Sequence, residues 1–163
     1  MTILNVNKVA ERLVEKLKLN KLTIATAESC TGGIVASALV SVPGCSSVFH
    51  EGYITYSNGA KCKLLNIGTE LIETHGAVSK EVAAAMARGA AMNADANIGL
   101  AITGIAGPDG GTKSKPIGMV FIGIYVNGIE NTHELMLAGN RTEIRNQSAY
   151  LALELLTDIL EII

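Results

Sequence analysis

Near the start of the chain, Val6, Val9, Ala10, Leu13, Val14 and Leu17 recur every three or four positions. That spacing gathers one apolar stripe along a helix, and Asn20 is a fitting stop. The period then changes. Residues 22–27 (LTIATA) make a short apolar run bounded by polar residues, which predicts a buried strand. Residues 31–41 return to helical character and are halted by Val42-Pro43-Gly44. Residues 48–56 read as a second strand. Asn58 is placed to cap a short helix ending at 65, Thr69 another through 74, and Ser79 an alanine-rich helix through 93. Residues 97–103 predict a third strand.

Residues 104–116 (GIAGPDGGTKSKP) carry turn signals throughout and predict a loop. Residues 117–126 and 130–137 predict two strands joined by Asn127-Gly128, a strong hairpin signal. Asn140 then caps a long helix whose buried side carries Ile144, Leu151, Leu155, Leu156, Ile159 and Leu160. There is no repeat and no linker, so the expectation is one domain over residues 1–163. The order predicts an α/β fold, a three-layer α/β/α sandwich around a mixed, mainly parallel sheet of about five strands. With the first three strands parallel, the fourth must return and the fifth turn back again. The turn at Ser29, the segment after Tyr56, the Gly104 loop and Asn140-Arg141 then meet at one sheet edge, where open α/β sheets bind ligands.

Composition narrows the field of ligands. Apolar residues make up 48% and charged residues 17%, which suits a globular chain. A net charge of −2, no tryptophan, and only four tyrosines and two phenylalanines give no basic or stacking surface for nucleic acid. The three cysteines, Cys30, Cys45 and Cys62, lack metal-type spacing and fit reduced thiols in a cytoplasmic protein. Residues 29–50 carry no full charge, but Gly32, Gly33, Pro43 and Gly44 break the run, against a membrane span. No metal or cofactor signature is present. Assembly into a homo-oligomer is left open.

The chemistry concentrates in Glu28-Ser29-Cys30-Thr31-Gly32-Gly33, where a strand opens into a helix. Such a turn exposes a nucleophile beside backbone N–H groups that suit an anion. Ser29 and Cys30 both qualify, although each also suits a purely structural role as cap or core residue. None of His50, His75 and His133 falls where a base is needed. Lys61, a few residues beyond the second strand, opposes its helix dipole and reads as the base, provided that burial lowers its pKa. Ser29 with Lys61 would form a Ser–Lys dyad. The glycine loop fits neither nucleotide fingerprint, yet it offers unhindered N–H groups at Gly104 and Gly107. Arg141 and Arg145 lie one turn apart near a helix start, where an anionic ligand would reconcile them with the dipole.

Together AESCTGG, YSNGAK (56–61), HGAVS (75–79), TGIAGPDGGT (103–112), KPIG (115–118) and GNRTEIR (139–145) closely resemble the CinA C-terminal domain family, over residues 6–160. That family includes the nicotinamide mononucleotide (NMN) amidohydrolase of bacterial NAD salvage, and in many bacteria the domain follows a molybdopterin-binding-like domain. The resemblance implies that Ser29 attacks the carboxamide, that Lys61 takes its proton, and that Tyr56 and Thr103 bond the dyad or the carboxamide. Thr103 stands where other members can carry serine. Glu28, Thr31, Gly32, Gly33, Asn58, Gly104, Gly107, Arg141 and Arg145 are expected around the substrate, with one arginine on the phosphate. Glu28 has two other roles open to it, as helix counter-charge or as structural acceptor. A non-catalytic nucleotide-binding or sensing module is the alternative, because the family also carries competence and damage-inducible names.

Overall fold

The computed structural model describes residues 5–162. The elements run α1 (Val6–Asn20), β1 (Ile24–Glu28), α2 (Ile34–Val40), β2 (Phe49–Ile54), α3 (Asn58–Leu65), α4 (Thr69–His75), α5 (Lys80–Asn93), β3 (Ile98–Gly104), β4 (Met119–Val126), β5 (Ile129–Met136) and α6 (Arg141–Ile162). The five-stranded sheet has the order β2-β1-β3-β4-β5. β1 pairs in parallel with both β2 and β3, while β4 runs antiparallel to β3 and β5 antiparallel to β4. The mixed sheet and its terminal hairpin are as the pattern predicts.

Side chains alternate across the sheet, so each face builds its own core. Ile24, Leu100, Ile102, Ile122 and Ile124 meet α1, α2 and α6 on one face. On the other, the small residues Ala25, Ala27 and Ala101 meet α3, α4 and α5. Small residues bring α5 close to the strands. A Cβ on Gly99 would run into the Ala87 carbonyl, and one on Gly123 into the Ala83 carbonyl. Bare backbone at both positions is therefore a packing requirement.

Boundaries differ from expectation where a neighbouring residue makes the better cap. Ser57, not Asn58, caps α3, since its extended backbone lets Oγ accept the Ala60 N–H at 3.0 Å. Gly68, not Thr69, stands at the N-cap of α4. Ser79 does cap α5 and accepts the Val82 N–H at 3.2 Å. The second helix starts at Ile34 rather than 31, because Gly32 and Gly33 have φ of 58° and 103° and spend those residues on a turn. β2 is shorter than residues 48–56, and β4 begins at Met119 rather than 117. Among the described residues no helix is long and apolar enough to cross a membrane.

Candidate functional site

β1 and β3 end side by side. Glu28 pairs with Ile102, and one residue further the Ser29 N–H donates to the Ile102 carbonyl at 2.9 Å. Ser29 leaves the sheet at this point, while Thr103 is still in β3 opposite Phe121, and the two line one cleft with Lys61 of α3. Lys61, on the first turns of α3, reaches back to them. Its Nζ donates to Ser29 Oγ at 3.1 Å and to the Thr55 carbonyl at 2.8 Å. A cleft of about 260 Å³ opens here, lined by Ser29, Cys30, Tyr56, Asn58, Lys61, Ala77, Val78, Thr103, Gly104, Ala106 and Arg141.

Lys61 is 1% exposed and has no carboxylate partner among the described residues. Burial penalises the ammonium and lowers its pKa from the usual 10.5. The neighbouring thiol moves the other way. Burial first, with Glu28 adding to it, pushes Cys30 up to about 11, so it stays protonated near neutral pH. Of the two candidate nucleophiles, only the serine has a buried amine on its oxygen.

Arg141 crosses the mouth of the cleft. It donates to the Gly107 carbonyl at 2.7 Å and to the Tyr56 hydroxyl at 3.0 Å. The side chain is exposed, so a ligand can take it from these neutral partners. Thr103, 1% exposed, donates its hydroxyl to the Ala77 carbonyl at 2.8 Å. Gly104 lines the cleft, and its missing side chain lets β4 approach, since a Cβ would lie 2.7 Å from Val120 Cγ2. The base of the glycine loop is tied down by Lys115, whose Nζ donates to the His75 carbonyl at 2.5 Å.

Several residues expected around a substrate are instead occupied within the protein. The Glu28 carboxylate, 1% exposed, accepts the N–H groups of Gly33 (3.1 Å), Val35 (3.1 Å) and Ala36 (2.8 Å). It is the counter-charge of α2, and it takes up the donors that the sequence had suggested for a bound anion. Arg145 donates to the carbonyls of Cys30 (2.9 Å) and Thr31 (3.0 Å), bracing the turn from behind. Thr31 is fully buried, and Gly32 and Gly33 face a separate hollow with Val6, Asn7, Ile34 and Asn146. Gly107 contributes its carbonyl to Arg141 and does not line the cleft. The cleft thus gathers Ser29, Tyr56, Asn58, Lys61, Thr103, Gly104 and Arg141 and leaves out Glu28, Thr31, Gly32, Gly33, Gly107 and Arg145. Sequence reasoning missed the Thr55 carbonyl and the Ala77-Val78 wall, because backbone groups and small apolar residues carry no chemical signature. His50, His75 and His133 do not line the cleft.

Comparisons with known proteins identify the family and the fold. The family model for the CinA C-terminal domain matches residues 6–160, and the chain belongs to that family. A putative competence-damage inducible protein of Clostridium botulinum is 51% identical over 162 residues, which cover 96% of this chain and 40% of that protein. A CinA-like protein of Kosmotoga olearia is 54% identical over 144 residues, covering 88% and 35%. The chain therefore spans well under half the length of these curated relatives. Among solved structures, a competence/damage inducible protein from Agrobacterium tumefaciens superposes with a TM-score of 0.92 at 41% identity, covering 99% of both chains. A CinA superfamily protein from Klebsiella pneumoniae gives 0.94 at 30% identity, covering 98% of this chain and 99% of its own.

Proposed function

We propose that this domain is an amidohydrolase that converts NMN to nicotinic acid mononucleotide and ammonia, a cytoplasmic step of NAD salvage. The observation that carries the reading is the 3.1 Å contact between Lys61 Nζ and Ser29 Oγ, made by a buried lysine with no acidic partner among the described residues. A lysine paired with a carboxylate would be held as an ammonium. Here burial favours the neutral amine, whose lone pair can take the serine proton.

The steps follow from these groups. Neutral Lys61 removes the Ser29 proton while the Thr55 carbonyl holds one of its N–H bonds and aims the lone pair. Ser29 Oγ adds to the carboxamide carbon. The amide of the residue after the nucleophile is a common oxyanion donor, and the Cys30 N–H has no carbonyl acceptor among the described residues. Lys61 returns the proton to the nitrogen, ammonia departs, and an ester on Ser29 remains. Water activated by Lys61 then releases the carboxylate. Arg141, exposed at the mouth, is the natural partner for the 5′-phosphate, because a dianion outcompetes a carbonyl and a phenol for a guanidinium. Tyr56 and Asn58 flank the same opening.

Ammonia release from NMN by the purified protein tests the reading. Ser29→Ala and Lys61→Ala should each lower it on the order of 10³-fold or more. Full activity in either variant would remove the dyad. Tight calorimetric binding of NMN with no ammonia over hours would instead identify a sensing module.

A further inference from the structure

Thr103 has a hydroxyl with one proton, and that proton is already committed. It points to the Ala77 carbonyl, 2.8 Å away, a group that can only accept. Thr103 is 1% exposed, and it lines the cleft beside Ser29 at the paired ends of β1 and β3. What the oxygen has left for a ligand is therefore lone pairs alone. The Ala77 carbonyl turns an ordinarily two-way group into a one-way acceptor.

We infer that Thr103 is the residue that distinguishes the amide substrate from its carboxylate product, by accepting an N–H of the carboxamide –NH2. This inference rests on the amidohydrolase reading above. A primary amide brings two N–H donors, and one of them meets the Thr103 oxygen while the carbonyl oxygen turns to the backbone donors. A carboxylate brings acceptors only. Its oxygen would face the Thr103 lone pairs, unless the hydroxyl swung round to donate and left the Ala77 carbonyl unpaired. Either outcome disfavours the product, so the same contact that selects the amide promotes release of the acid. An ester analogue, which lacks N–H, loses the contact too.

Calorimetry on the non-reacting Ser29→Ala protein measures this without turnover. NMN and nicotinic acid mononucleotide are titrated in turn, with Thr103 intact, as Thr103→Val and as Thr103→Ser. The amide-to-acid affinity ratio should fall about tenfold in Thr103→Val, the worth of one hydrogen bond to a buried donor. It should persist in Thr103→Ser, which keeps both the bond to Ala77 and the free lone pairs. An unchanged ratio in Thr103→Val, with both ligands still bound, overturns the inference and leaves the amidohydrolase reading standing. Should the valine variant not fold, a lost ratio in folded Thr103→Ser overturns it equally. Failure of NMN to bind with Thr103 intact sinks the substrate assignment and this inference together, a result unlike the others.

Discussion

A buried ammonium without a counter-ion costs stability, and Lys61 is 1% exposed with no carboxylate partner among the described residues. Its folded-state pKa lies below the unfolded value near 10.5, so between those two values the unfolded chain binds the extra proton. Stability contributed by this residue therefore rises with pH across that window, and the penalty is greatest below it. Lys61→Met should raise the melting free energy by about 1 kcal/mol at neutral pH while abolishing activity. Thermal melts at several pH values check this, since the gain should shrink toward pH 10.5. The rate has the same sign. Ammonia release should climb as Lys61 loses its proton, with a limb below the ordinary lysine range that Lys61→Arg removes. At Cys30, held protonated near neutral pH, iodoacetamide should react slowly and leave activity largely intact. Lys61 stood out in the chain as a lysine set against its helix dipole, whereas Ser29 and Cys30 were equal candidates at a strand end until the family resemblance pointed to the serine. Arg145 was legible only as a cation needing an acceptor, and backbone carbonyls supply it.

Helix starts decide how firmly these side chains are held. At α6, Asn140 Oδ1 accepts the Glu143 N–H at 3.0 Å, and the Glu143 carboxylate accepts the Asn140 N–H at 2.7 Å. This reciprocal box fixes the start of the helix that carries Arg141 to the cleft mouth, and it gives Glu143 its role. Asn140→Ala should cost about 1 kcal/mol in a denaturant melt and should raise KM for NMN more than it lowers kcat. At α2 the equivalent work falls to Glu28, five residues before the first of its donors in the chain. That distance hides it from any local capping rule. Glu28→Gln presents an –NH2 to backbone N–H groups that need acceptors, and should destabilise by about 2 kcal/mol or more.

The architecture of the whole molecule was legible because the hydrophobic period changes cleanly from helix to strand, and because Asn127-Gly128 forces the last two strands together. The outer strands show why. β2 and β5 are largely exposed and carry polar residues, whereas β1 and β3 are almost wholly buried. Invisible from the sequence was the stacking of bare backbone. Gly99 and Gly123 seat α5 on the sheet, and a Cβ on Gly89 in α5 would strike the Leu65 carbonyl at the end of α3. Gly99→Ala should therefore cost about 1–3 kcal/mol in a thermal melt, as overpacking does. Gly89→Ala should lower kcat more than it changes KM, because Leu65 closes the helix that carries Lys61. Proton transfer falls away steeply once donor and acceptor leave hydrogen-bond reach. Under the proposed mechanism the thickness of the helix layer becomes a setting of the reaction rate, with residues that have no side chain, remote from the cleft, fixing how far one proton has to travel.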